Sequence, residues 1–294
     1  MTDIAILNDM QAARRARLRL LSTSVRYVLL FAVGLVMLYP LIWLVGASFK
    51  TNSEIFSGAG FIPENPTLDG YIRGWQTSTP YTFGRFFWNS FLIILPKVIG
   101  TAISCTMAAY AFARFDFPLK KILFGSVIAI LLLPNVVTRI PQYILFRDLG
   151  WLDSFLPLWV PSAFAGDAFF VFMLVQFLRS LPSDMEEAAR VDGANSLQTL
   201  IYIVVPMLAP ALISVCLFQF MWTMNDFLGP LIYLSSVDKY PVSLALKLSI
   251  DTTEAFEWNR ILAMSVLTIA PALIVFFAAQ RYFIEGISSG GVKG

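Results

Sequence analysis

An all-α integral membrane protein with six transmembrane helices is the fold class this sequence predicts, and three observations predict it. Apolar residues make up 57% of the 294 residues and charged residues only 14%, where an ordinary soluble domain carries about 25% charged. Six apolar runs stand between polar segments, several of them near the roughly 20 residues that a helix needs to cross a bilayer core. The basic residues are also uneven. Six spans put both termini on one side, and the segments of that side hold twelve Lys and Arg, whereas the longer opposite loops hold eight. By the positive-inside rule both termini are expected in the cytoplasm.

The N-terminal tail, 1–26, is polar and carries Arg14, Arg15, Arg17, Arg19 and Arg26. Span one is expected at 27–49, too long for a signal-peptide core and followed by no small-residue cleavage site, hence retained. The segment 50–86, with Pro63 and Pro66, reads as an irregular outer loop with room for short helices. Span two covers 87–112, broken only by Pro96-Lys97. The tight connection 114–121 makes spans two and three antiparallel neighbours. Span three is expected at 122–144, where Pro134 and Pro141 suggest a bend and a run into an interfacial piece that ends near Gly150. Span four is expected at 155–177, span five at 200–221 with Pro206 and Pro210 near its inner end, and span six at 261–279. These spans lie in a six-helix transmembrane body, 27–283, followed by a short glycine-rich tail, 284–294.

Composition narrows the chemistry. There is no His, which removes the commonest general base and a common metal ligand. Cys105 and Cys216 both lie in apolar runs and read as packing residues, so no metal site and no cofactor is expected in this chain. No cluster of carboxylates or thiols suggests an enzyme, and no G-x-x-x-x-G-K-[ST] phosphate loop is present.

Between spans four and five lies the most informative stretch, 183–210. Ser183-Asp184-Met185-Glu186 has the form of a capping box, which predicts a helix start. Glu186, Glu187, Ala188, Ala189 and Arg190 favour helix. Gly193 fits a left-handed C-terminal cap. Asn195 or Ser196 can then cap a second helix. A helix-turn-helix over 183–197 follows, with one carboxylate and two methyls facing outward as a docking knob.

Glu187-Ala188-Ala189, three residues, Gly193, nine residues, Ile203, two residues and Pro206 resembles the EAA loop of ABC importer permeases, with Val205 where that family usually has Leu. Ala108-Ala109-Tyr110-Ala111-Phe112-Ala113-Arg114-Phe115, Trp222 with Asn225-Asp226-Phe227, and Gln280-Arg281-Tyr282-Phe283 look like the carbohydrate branch, most of all the smaller permease of the maltose-type systems. The resemblance implies a cytoplasmic coupling loop in which Glu186, Glu187, Ala188, Ala189, Asp192, Gly193, Ile203 and Pro206 meet an ATPase. It also implies a heterodimer with a second permease, two ATPase subunits that bind ATP and Mg, and an extracytoplasmic binding protein that delivers the solute, which the permease moves across the bacterial inner membrane. The solute would be a sugar or oligosaccharide, or else another polar solute such as glycerol phosphate. The tail Gly290, Gly291, Val292, Lys293 and Gly294 would reach the ATPase subunits. In an outer loop, Asp251, Thr252, Thr253 and Glu254 would meet the binding protein. An ATP-independent secondary transporter is disfavoured by the loop and by the absence of matching broken helices in two halves.

A charge at the bilayer centre costs at least about 2.5–3.5 kcal/mol on insertion scales, so embedded polar residues ask for a partner or a cavity. Asp167 lies within span four and either lines the translocation path or sits nearer the outer face with a cationic partner. Lys97 either lines the path or snorkels. Asn225 and Asp226 either face the path or form a helix C-terminal turn. Val175 stands where the family often has Arg. No stacking aromatic can be picked out of the many Trp, Phe and Tyr.

Overall fold

The structure, a computed structural model, describes residues 2–57, 60–77, 79–251 and 257–291. No strand occurs among them. Four helices are long and apolar enough to cross a membrane, and two bent pairs raise the number to six. The chain forms two units.

The first unit comprises 1–72 and 257–266. Helix α1 runs over Thr2–Ala47, so the expected polar tail is helical and continuous with span one. Most of its apolar span, Leu21–Ala47, is exposed, as a lipid-facing helix can be when no water has to be excluded, and only Ala47 at its end is buried. After it come α2 (Asn52–Ser57) and the start of α3 (Asp69–Gln76). The turn after α1 is tied down by Ser48 Oγ at 2.8 Å from Tyr71 Oη and by buried Lys50, whose Nζ donates to the Gly60 carbonyl at 2.7 Å.

The second unit, 73–256 and 267–294, holds the core. Helix α4 (Phe83–Arg114) supplies Cys105, Ala109 and Tyr110 to it. Next are α5 (Lys120–Leu132) and α6 (Asn135–Asp148), which meet at 108° where Leu133-Pro134 interrupts the hydrogen-bond ladder. This is the bend that Pro134 leads one to expect.

Span four departs from expectation. It is a short α7 (Leu156–Trp159), a 3-10 turn (Val160–Phe164) and then α8 (Ala168–Ser180). Ala165 at φ 55° and Gly166 separate the pieces, with the Gly166 N–H donating to the Pro161 carbonyl. Asp167 therefore sits at the N-cap of a half-helix rather than inside an unbroken span. The core face of α8 is Phe170, Val171, Leu174, Val175 and Leu178. Val175 is fully buried there, so an Arg at this position would bring a charge into the apolar core.

Span five is likewise assembled from pieces: α9 (Asp184–Val191) precedes it, then α10 (Ser196–Thr199), a π turn (Leu200–Val204), α11 (Val205–Met207) and α12 (Ala209–Met224). The stretch Ser196–Met207 meets α12 at 79°. Spans three, four and five are thus all interrupted, and of these the bend in span three is the one expected from the sequence. Prolines at 134, 161, 206 and 210 are the local cause.

The outer connection after span five is mostly helical, with α13 (Leu228–Tyr233), a 3-10 turn (Val237–Lys239) and α14 (Val242–Asp251). Helix α15 (Trp258–Gly291) continues well past the expected end of span six, into the segment expected as a loose tail.

Candidate functional site

Two places in the second unit gather chemistry. One is the helix-turn-helix of α9 and α10. At its start the capping box expected of Ser183 and Glu186 does not form. Ser183 Oγ instead donates to Glu187 Oε1 at 2.9 Å, while Glu186 turns inward. Its Oε1 accepts from Arg114 Nε at 2.7 Å, and Arg114 Nη2 donates to the Leu181 carbonyl at 3.1 Å. Glu186 is only 2% exposed. A local cap is exchanged for a buried, charge-assisted bond to the end of α4. The capping box lies one helix later: Asn195 Oδ1 accepts from the Gln198 N–H, and Gln198 Oε1 accepts from the Asn195 N–H, each at 2.9 Å.

The turn between the helices is a complete Schellman motif. The Gly193 N–H donates to the Arg190 carbonyl and the Ala194 N–H to the Ala189 carbonyl. Gly193 has φ +88°. A Cβ there would meet nothing within 4 Å, so what requires glycine is backbone conformation and not space.

Helical spacing sorts the motif residues. Ala189 is three positions after Glu186 and is buried with it. Glu187, Ala188, Val191 and Asp192 are exposed. The expected outward pair of methyls is therefore corrected to one, Ala188. Apolar Met185, Val191 and Leu197 accompany it, Val191 at 88% exposure. Ile203 is half-buried, and exposed Pro206 lines an apolar groove with Ala209, Leu212 and Cys216.

The second place is a cavity of about 650 Å³ enclosed by α4, the α5–α6 bend, the break in span four and the outer end of α12. Asp167 and Asp226 both line it, as do Lys97 and Arg139. Thr101 Oγ1 donates to Asp167 Oδ2 at 3.1 Å, and the Gly229 N–H donates to Asp226 Oδ1 at 3.0 Å. A Cβ at Gly229 would collide with the Asp226 carboxylate in its present position, so a larger residue there would make that side chain shift. Asn225 does not line the cavity; it is the C-cap of α12, and its Nδ2 bonds back to the Met221 carbonyl at 2.8 Å. Trp222 and Phe169 line it and lie 5.3 Å apart, centroid to centroid. Gln219 is 2% exposed, and its Oε1 has no hydrogen-bond partner among the described residues. Arg139, Gln219 and Trp222 escape sequence reasoning, because only the bend after Leu133 and the break at Gly166 bring their helices to one space.

Of the other residues singled out in the sequence, Asp251 closes α14, and Gly290 and Gly291 end α15. Thr252, Thr253, Glu254, Val292, Lys293 and Gly294 lie outside the described residues. No group of three or more potential metal ligands occurs among the described residues.

Comparison with known proteins gives one consistent answer. The profile of the family described as "Binding-protein-dependent transport system inner membrane component" matches residues 100–289. A probable ABC transporter permease of Pyrococcus horikoshii is 32% identical over 264 residues, 90% of this chain and 95% of that one. The trehalose/maltose transport permease of Thermococcus litoralis is 26% identical over 89% of this chain and 94% of its own length. Among solved structures, a chain of a bacterial ABC transporter that imports the acidic polysaccharide alginate matches with a TM-score of 0.78. The two are 26% identical, and the match covers 88% of this chain and 95% of that one.

Proposed function

The chain belongs to the family of binding-protein-dependent transport system inner membrane components, and from that premise we propose that it is the smaller permease of an ATP-driven importer for a sugar or oligosaccharide. It makes a heterodimer with a second, homologous permease. Two ATPase subunits bind ATP and Mg on the cytoplasmic side, and an extracytoplasmic binding protein delivers the solute. This chain hydrolyses nothing and holds no cofactor.

The observation that carries the coupling role is the exposed face of α9. Glu187, Ala188 and Val191 stand out from a helix whose opposite face, Glu186 and Ala189, is fastened to the permease core. An exposed carboxylate among apolar side chains is a surface that a cleft with one basic residue can grip. Gly193 and Asp192 shape the turn beside it, and Ile203 and Pro206 lead from it into span five. Both termini and this loop face the cytoplasm, as the charge count requires. Resemblance to the maltose-type permeases supports sugar as the solute, ahead of another polar solute such as glycerol phosphate. The cavity at Asp167 and Asp226 is the stretch of path this chain lends to the solute. Residues 290–294 reach the ATPase pair, and 251–254 meet the binding protein.

Reconstituted vesicles test this. Uptake should need ATP inside, the ATPase subunits and the loaded binding protein. Uptake that persists without the ATPase would mean secondary transport.

A further inference from the structure

We propose that this subunit itself touches the transported solute, through a subsite in the 650 Å³ cavity that accepts one or two rings of an uncharged saccharide and rejects an acidic one. The inference rests on the importer reading above and adds the contact residues and the charge class of the solute.

The volume lies within the usual range of small-molecule pockets, roughly 300–1,000 Å³. Its charged residues balance: Lys97 and Arg139 against Asp167 and Asp226. An anion entering it would lose hydration and find no net opposite charge in return, while each carboxylate repels it. A polyol has no such difficulty.

Gln219 gives the second, independent indication. Its Oε1 is buried, lines the cavity and has no partner among the described residues. A buried acceptor left unmade is costly, and this one is answered by a ligand that donates. The carboxylates of Asp167 and Asp226 are acceptors too, whereas Lys97 and Arg139 are donors. Hydroxyl groups serve both kinds. A carboxylate on the solute can only accept, so it can pair with Lys97 and Arg139 but takes the place of a hydroxyl that could donate to Gln219 Oε1 or to the two aspartates. Trp222, half exposed in this chain, offers an apolar ring face for the C–H side of a pyranose.

The test uses the whole importer in proteoliposomes. Radiolabelled maltose, trehalose and diacetylchitobiose are the neutral probes, and a short oligo-uronate is the acidic one. Gln219→Leu keeps the shape and removes the acceptor; Trp222→Ala, at an exposed position, guards against misfolding of the first. Both should assemble with the partner subunits, as size-exclusion chromatography of the purified complex reads. The apparent KM for the transported neutral sugar should rise roughly 2- to 10-fold for Gln219→Leu, the range that the loss of one hydrogen bond gives, with kcat little changed. Trp222→Phe should restore what Trp222→Ala loses. Asp226→Asn should let the oligo-uronate compete where it does not compete in the wild type. An unchanged KM in both variants, or wild-type transport of the oligo-uronate in preference to the neutral probes, would overturn the subsite while leaving the importer reading intact. No ATP-dependent uptake of any probe would overturn the importer reading for saccharides and the subsite with it.

Discussion

Arg114, the last residue of α4, and Glu186, in the first turn of α9, are 72 residues apart in the chain and 2.7 Å apart in space. Both side chains are mostly buried, and Glu186 Oε2 has no partner among the described residues. Breaking such a pair from one side leaves an uncompensated buried charge, a loss of about 3–5 kcal/mol. Arg114→Met should therefore lower the melting temperature of the purified complex and uncouple ATP hydrolysis from uptake. The double variant Arg114→Met, Glu186→Leu should regain most of the stability. A single variant as stable as the wild type would show that the pair does not anchor the loop.

At Gly193 the argument is conformational. Any Cβ at φ +88° costs about 1–2 kcal/mol, and Val, being branched, is worse than Asn. Gly193→Val should insert and assemble with the second permease yet lose most coupled uptake, while Gly193→Asn keeps more of it. Equal transport by the two variants would mean that the turn tolerates other backbone shapes.

The connection between Trp151 and Tyr240 has its own clamp. Asp153 accepts from Lys239 Nζ at 2.7 Å, from Ser236 Oγ, and from the backbone N–H groups of Ser235 and Ser236. Burial alone would raise this carboxyl; those four donors outweigh it and hold it well below the usual carboxylate range. Because the folded value is depressed, the stabilisation is present above the unfolded value, about 3.9, and is lost as pH falls through the folded one. Thermal stability should thus show no step from this group between pH 5 and 8. Asp153→Asn should be less stable throughout that range, and its deficit should shrink in strong acid. A deficit that grows on acidification would contradict the assignment.

Replacing 251–254 with a Gly/Ser linker removes Asp251, Thr252, Thr253 and Glu254 at constant length. Basal ATP hydrolysis should survive, and stimulation by the loaded binding protein should fall. Deleting 288–294 should lower transport more than assembly. Full stimulation and full uptake in these two variants would reduce both segments to connectors.

Sequence reading recovers what depends on neighbours along the chain. Apolar run length gives the helical membrane fold, Pro134 gives the bend between α5 and α6, and Gly193 gives its own left-handed turn. It fails where a partner is distant. Glu186 looks like a capping residue because Ser183 is three positions away, yet the buried guanidinium of Arg114 outcompetes that cap. Asp167 looks embedded because Phe155 to Phe177 is mostly apolar, and nothing local reveals that Ala165 takes a positive φ. The cavity is the extreme case: Lys97, Arg139 and the pair Gln219 and Asp226 come from three separate segments and acquire a common meaning only once the helices are packed.

Helix α4 is gripped at both ends. Arg114 holds α9, and 25 positions earlier Asn89 Nδ2 donates to the carbonyls of Asp238 and Tyr240 while Ser90 Oγ accepts from the Val242 N–H. At 1.5 Å per residue its 32 residues are about 48 Å of nearly inextensible strut. A push on α9 therefore has no slack to take up before it is felt at the outer segment that leads into α14, except where Pro96 lets the strut flex.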